Sequence, residues 1–170
     1  ILDIYIYIPE LDFVLSTRTS TDTRSFYNMF FNNGDISFDK WKNIVMSDKS
    51  IYEPVTSVSE SGNEVSTIMF TKPLSSLQQQ TNSYLVILVN SRSFIDEFER
   101  SYNGKSAHFY ILDSDNRLIC SSESNDLAYN ELYYDKFPDD TGIFKNRKNV
   151  FAYTTDNLLS WKFISSIPSN

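Results

Sequence analysis

The sequence predicts an α+β chain in which antiparallel sheet carries a few short helices. Three observations lead there. Strand-like and helix-like periods come in blocks rather than alternating one for one, which excludes a parallel βαβ array. Turn strings such as Ser61-Gly62-Asn63 and Asp113-Ser114-Asp115-Asn116 separate β-rich runs at hairpin distance. Hydrophobic residues make up 41% and aromatics 15% of the 170 residues, enough for a packed core and too much for a disordered chain.

The elements follow in order. Ile4-Tyr5-Ile6-Tyr7-Ile8 alternates aliphatic and aromatic residues and reads as a strand, Pro9-Glu10 turns, and Leu11 to Leu15 returns as its partner. Phe26, Tyr27, Phe30 and Phe31 then recur at the spacing of one helical face, with Ser20 or Asp22 as the cap and Asn33-Gly34 as the stop. Ser37 caps a second helix, with Asp39 in its first turn and an apolar stripe of Phe38, Trp41, Ile44 and Val45. Glu53-Pro54 breaks this pattern. Val55 to Val58 and Val65 to Phe70 form a hairpin, and Pro73 with the polar run 75–82 forms a loop. Tyr84 to Val89 has no strongly polar member and is expected as a central strand buried on both faces.

Ser93-Phe94-Ile95-Asp96 has the form of a capping box, Phe98 and Tyr102 follow one turn apart, and Asn103-Gly104 ends that helix. Phe109 to Leu112 and Leu118 to Ser121 make another hairpin. Leu127 to Phe137 is aromatic but irregular, the run 138–142 is a turn, and Val150 to Tyr153 with Trp161 to Ile167 makes the last hairpin before Pro168. No internal repeat is close enough to assert from the residues.

Composition removes several classes of function. Fifteen Lys and Arg against 22 Asp and Glu give a net charge of −7. A polyanion needs a basic face to replace its counterions, so nucleic acid is excluded as a partner, and an anionic membrane surface is disfavoured on the same ground. Only four glycines are present, whereas phosphate-cradling loops cluster several. The single histidine, His108, has no second imidazole or thiolate with which to share a metal, and no G-x-S-x-G string accompanies it. Asp113-x-Asp115-Asn116 opens like a calcium loop, but Leu118 stands at the glycine position and Ser124 at the bidentate glutamate position. Asp139-Asp140 reads as a turn, and the lone Cys120, beside Leu118 and Ile119, as a buried structural thiol. The expectation is a non-enzyme without cofactor or metal. The aromatics are more informative. Trp41 and Tyr52 flank the junction where the helices return to the sheet, and from residues alone they either line a pocket or fill a core.

Four strings, in order, resemble the double Cache family, the PAS-like extracellular sensor domains of bacterial transmembrane receptors. They are Ile4-Tyr-Ile-Tyr-Ile-Pro with Leu11-Asp-Phe-Val-Leu-Ser, Tyr84-Leu-Val-Ile-Leu-Val-Asn with Ser93-Phe-Ile, Phe109-Tyr-Ile-Leu-Asp-Ser-Asp-Asn-Arg-Leu-Ile, and Ser160-Trp-Lys-Phe-Ile-Ser-Ser-Ile-Pro. The first is most similar to sensors of AraC-type regulators and YesM-like histidine kinases of Gram-positive bacteria. The resemblance implies two PAS-like antiparallel-sheet lobes: a membrane-distal, ligand-binding lobe at 1–91, a connecting helix at 92–104 and a membrane-proximal lobe at 105–170. It also implies a stalk helix before Ile1, transmembrane helices flanking the domain in the full-length protein, a place on the extracellular face of the bacterial membrane, and a cytoplasmic output module. The absence of an initiator Met fits an excised piece.

Amino-acid-sensing members carry Arg-x-Trp-Tyr after the helix and an Asp at the end of the last distal strand. Here Trp41 matches, but Asp39, Lys42 and Asn90 stand at the other three positions. A neutral Asn cannot balance a ligand ammonium, so the expected ligand is a neutral polar metabolite or an anion. The expected ligand-binding residues are Trp41, Tyr52, Met69 and Asn90, with Tyr7 and Tyr27 as further candidates. A homodimer is a candidate assembly, and a ligand-free PAS-like dimerisation or protein-interaction module is the alternative function.

Overall fold

Residues 3–32, 35–49, 51–59, 62–74, 82–102, 107–122 and 141–169 are described by the computed structural model. The chain divides into two units, Ile1–Asn90 and Ser91–Asn170.

The first unit is a six-stranded antiparallel sheet with two helices on one face. Its strands are β1 (Asp3–Ile8), β2 (Phe13–Ser16), β3 (Ser20–Asp22), β4 (Ile51–Val58), β5 (Glu64–Leu74) and β6 (Ser83–Asn90), in the spatial order β3-β2-β1-β6-β5-β4. The alternation predicted at the start is real: Asp3, Tyr5 and Tyr7 are buried while Ile4, Ile6 and Ile8 are half-buried. The return strand starts at Phe13 rather than Leu11, because Pro9–Leu11 forms a single 3-10 turn closed by Asp12 in the left-handed region at φ 47°. Pro54 lies inside β4 instead of breaking it. β4 is the outer strand, where outward N–H groups have no ladder partner and proline is tolerated. β6 is central, as expected, but only one of its faces is sealed: Val86 and Leu88 are buried and Leu85, Ile87 and Val89 half-buried.

Helices α1 (Thr23–Phe30) and α2 (Phe38–Val45) begin at the residues whose side chains cap them. Asp22 accepts from the Ser25 N–H at 2.9 Å and Ser37 from the Lys40 N–H at 3.2 Å, satisfying amides that a helix start leaves unpaired. The Asn33-Gly34 stop lies outside the described residues.

The second unit opens with α3 (Arg92–Ser101) and continues as β7 (His108–Leu112), β8 (Leu118–Ser121), β9 (Gly142–Lys145), β10 (Asn149–Thr155) and β11 (Lys162–Pro168). The five strands are antiparallel in the order β8-β7-β11-β10-β9. The helix starts before the predicted capping box. Ser93 lies inside it, and Asp96 pairs with Arg92 at 2.9 Å rather than reaching back to a cap. Phe98 fixes α3 to the sheet through Phe109 and Phe163, at centroid distances of 5.3 and 5.7 Å. The 103–104 stop, the 127–137 run and Asp139-Asp140 lie outside the described residues.

Both sheets share one strand order. Counting the five strands of each unit in sequence and setting β3 aside, each reads second, first, fifth, fourth, third. A repeat that the residues do not reveal is therefore plain in the topology.

Two predictions follow from this packing. A Cβ on Gly142 would run into the ring and hydroxyl of Tyr153, its partner across the β9–β10 ladder. Gly142→Ala is expected to lower stability by about 1–3 kcal/mol in urea unfolding, the usual cost of overpacking. The Ser25 amide beside Asp22 holds its carboxyl below the ordinary value of 3.8. The unfolded chain thus binds that proton more tightly than the folded one. The cap's stabilisation is complete above the ordinary value and is lost as pH falls through the lowered folded value. Asp22→Asn, which keeps an accepting oxygen, should flatten this part of the acid-unfolding curve followed by circular dichroism.

Candidate functional site

The helix-covered face of the first sheet is built in rows. Register places Asp3, Leu88, Met69 and Glu53 side by side across β1, β6, β5 and β4; Tyr5, Val86, Thr71 and Ile51 form the next row, and Tyr7, Tyr84 and Pro73 the one after. On the other side of Asp3's row, Asn90 stands opposite Thr67, and Thr67 opposite Val55. The helices lay their apolar stripes over these rows. Their facing side chains Phe26, Tyr27, Trp41 and Val45 join Tyr5, Tyr7, Val14, Phe31, Ile36, Val55, Met69, Val86 and Leu88 in one core.

Trp41 is the centre of it, with no exposed surface. Six rings surround its indole: Tyr7 at 5.6 Å, Phe38 at 6.0 Å, Tyr27 and Phe31 at 6.1 Å, Phe26 at 6.3 Å and Tyr5 at 6.5 Å between centroids. Its Nε1–H donates to the Tyr5 hydroxyl at 3.3 Å, and that hydroxyl donates to the Met69 sulfur at 3.8 Å. Burial pushes the Tyr5 phenol far above its ordinary value, so it stays neutral and available as donor and acceptor. Tyr27 donates to the Ile36 carbonyl at 2.7 Å, tying α1 to the segment that enters α2.

Several buried polar atoms on this side have no hydrogen-bond partner among the described residues: the Tyr7 hydroxyl, Thr23 Oγ1, Thr71 Oγ1 and Asp3 Oδ2. Each such atom costs about 1–3 kcal/mol, so four in one unit mark a place where polar partners from elsewhere would be rewarded.

Of the six residues expected from sequence, Tyr7, Tyr27, Trp41 and Met69 meet in this core. Asn90 lies on the same face, half-buried at the end of β6. Tyr52 does not join them. Its register partner is Phe70, its ring lies 6.3 Å from that of Phe70, and both occupy the opposite face of the sheet. Its place in sequence flanks the junction where the helices return to the sheet, but the period of two in a strand sends odd and even residues to different sides. Sequence reasoning passed over Asp3, Tyr5 and Thr71. The available signal was Asp3 itself, an acid at the head of a β-rich run in phase with two buried tyrosines.

Elsewhere the chemistry is sparse. No group of three His, Cys, Asp or Glu among the described residues could hold a metal. Cys120 is buried and its thiol is pushed up to about 12 by burial, which holds it in the protonated, weakly nucleophilic form. His108 begins β7, half-buried opposite Ser166. In the second unit an apolar trough of about 410 Å³ runs between α3 and the sheet, lined by Phe98, Tyr102, Phe109 and Phe163 among others.

No family model matches the sequence, and no curated protein matches it either. Solved structures do. The ligand-binding domain of the Pseudomonas aeruginosa PAO1 amino acid chemoreceptor PctB, in complex with L-Gln, superposes with a TM-score of 0.63 at 10% identity, covering 98% of this chain and 67% of that one. The periplasmic sensory domain of the Campylobacter jejuni chemoreceptor Tlp1 gives 0.63 at 12% identity, over 99% of this chain and 72% of that one. The extracellular domain of rpHK1S-Z16, described as a histidine kinase, gives 0.56 at 11% identity, over 98% and 70%. The architecture, two antiparallel sheets with few helices, thus matches the double PAS-like, Cache-type sensor fold. These structural neighbours are extracellular or periplasmic sensor domains rather than enzymes. No helix among the described residues of this chain is long and apolar enough to cross a membrane.

The core makes a sharp prediction about stability. Trp41→Ala should cost about 3–5 kcal/mol in urea unfolding, as for other buried large-to-small changes. Tyr5→Phe should cost about 1–3 kcal/mol by orphaning the indole N–H. Tyr7→Phe, which removes a hydroxyl that bonds to none of the described residues, should stay within about 1 kcal/mol of the parent and on the stabilising side.

Proposed function

We propose that this chain is the extracytoplasmic sensor domain of a bacterial transmembrane signalling protein, and that its first unit, the membrane-distal lobe, binds a small molecule. The observation that carries the reading is the Tyr7 hydroxyl, buried beside Trp41 in the helix-covered core without a hydrogen-bond partner among the described residues. A core built only for packing has no use for it, and phenylalanine would serve better. A ligand that hydrogen-bonds it recovers the cost. The Cache-type fold supports the same reading, since structural neighbours were solved as ligand-binding domains with L-Gln and with asparagine.

Binding works by population shift. α1 and α2 sit on the sheet through Trp41 and Tyr27, and a ligand that satisfies the orphaned polar atoms favours the helix arrangement that contains it. It moves the equilibrium by no more than its difference in affinity for the two arrangements. A stalk entering at Ile1, the second unit as membrane-proximal lobe, and a span beyond Asn170 would carry that bias to a cytoplasmic output module, of the AraC-type or YesM-like kind. The bound molecule is the only non-protein partner this reading requires.

The rival reading, a ligand-free module that joins two copies, draws on the second unit, where Ile143 is 77% exposed and Tyr102 38% exposed near the aromatic trough. Sedimentation over a wide concentration range decides it: a dimer with no ligand response favours the module, a strict monomer removes it.

The test of the sensor reading is thermal shift of the 170-residue domain against a metabolite library, followed by titration of any hit. A saturable rise in Tm is expected, weakened about tenfold in Tyr7→Phe by loss of one ligand hydrogen bond. No hit, together with a crystal structure whose first unit is filled by protein side chains alone, overturns it.

A further inference from the structure

The trough of the second unit is built on the face of the sheet that does not carry that unit's buried core. Tyr110, Leu112, Phe151, Tyr153 and Ile164 make the core. A strand sends alternate residues to opposite faces, so Phe109, Ala152, Thr154, Phe163 and Ser165 look the other way. α3 crosses only part of this second face. Its Phe98 ring lies against Phe109 and Phe163, and Tyr102, just past its C-terminal end, meets Phe109 edge-on at 5.9 Å. Beyond these rings β10 is uncovered, and Ala152 and Thr154 are exposed.

The result is a gap of about 410 Å³ with rings on one wall and small residues on its floor. Register sets Phe109, Ser165 and Ala152 side by side across β7, β11 and β10, and the last two are too short to fill the space beside Phe98 and Tyr102. An apolar cavity of about 150 Å³ accepts a benzene-sized molecule, so this one has room for a bicyclic aromatic. No charged side chain lines it. Its polar side-chain atoms are hydroxyls. Thr141 and Thr154 bond to each other at 2.7 Å, and whichever accepts keeps its own proton for a third partner. Ser165 donates to the Ala152 carbonyl at 3.5 Å, a long bond that a nearer acceptor would replace.

We infer that the second unit holds a binding site of its own in this trough, and that it takes a neutral, flat aromatic molecule carrying one hydroxyl or carbonyl oxygen. Phe98, Tyr102 and Phe163 supply ring faces and edges for offset or edge-on contact, and Ser165 or the threonine pair meets the oxygen. A charged ligand would give up hydration here and find no counter-charge. A second copy of this chain is the poorer occupant. The net charge of −7 on each copy repels the other, and the trough offers far less than the roughly 1,200 Å² that a stable protein interface buries. The inference does not depend on the first unit having a ligand.

The experiment is calorimetric titration of the 170-residue domain with 2-naphthol, with 2-naphthoate and 2-naphthylmethylammonium as charged analogues of the same ring. 2-Naphthol should bind saturably, and each charged analogue about tenfold or more weaker. Ala152→Leu raises the floor at an exposed strand position, and should weaken 2-naphthol about tenfold or more while leaving Tm unchanged. Should that variant misfold, the Ala152 methyl resonance of the unaltered protein serves instead. It should move with 2-naphthol at concentrations where 2-naphthoate leaves it still. Absence of saturable binding, a charged analogue that binds as well, or binding that survives in folded Ala152→Leu overturns the assignment. So does competition between 2-naphthol and a ligand shown to occupy the first unit. Two further outcomes name another occupant and also overturn it: a dimer of the ligand-free domain that Ala152→Leu dissociates, and 2-naphthol binding to the domain that is absent from the full-length protein.

Discussion

The Trp41 indole holds the first unit together, because it meets rings from both helices and from the sheet at once. Phe26 and Tyr27 reach it from α1, Phe38 shares α2 with it, Tyr5 and Tyr7 rise to it from β1, and its one polar atom is spent on Tyr5. α1 and α2 are each only eight residues long and would not persist alone in water. They exist because the sheet offers apolar rows and Trp41 locks both stripes onto them. Any rearrangement of the helices must therefore pass through this ring cluster, and a molecule bound there would be in a position to bias it.

The parts of this architecture that could be read from residues were those set by local chemistry. Asp22 and Ser37 each bond an amide three residues on, and such caps leave a signature in sequence. The alternation of Asp3–Ile8 needs no partner strand to be visible. What escaped depends on distant partners. β3 is three polar residues with no hydrophobic period, and it is a strand because β2 lies alongside, pairing Phe13 with Asp22 and Leu15 with Ser20. β9 is a short edge strand whose Ile143 points to solvent, so its apolar pattern is inverted at the one place where pattern would help. The start of α3 was misplaced because Ser93 and Asp96 have the right spacing for a cap, while Arg92 holds Asp96 and Glu99 along the helix surface.

For the candidate site the same division holds. Trp41, Met69, Tyr7 and Tyr27 were named from type and position and are found together. Tyr52 was named on proximity in sequence and lies across the sheet, since a strand separates neighbouring residues by its own thickness. The buried acid at the head of β1 was visible as a residue but not as an orphan, because Thr17 and Ile4 take one oxygen and only coordinates show the other left over.

The common strand order of the two units has a practical consequence through their tryptophans. The chain has two, Trp41 and Trp161, and they are 0% and 2% exposed, one in each unit. Each unit therefore contains its own dry, ring-flanked fluorophore, Trp41 among its six neighbours and Trp161 against Phe94. Emission from the native protein is the sum of two shielded indoles. Replacing either by phenylalanine leaves a reporter confined to the other unit, so the opening of each lobe can be timed separately without adding a label.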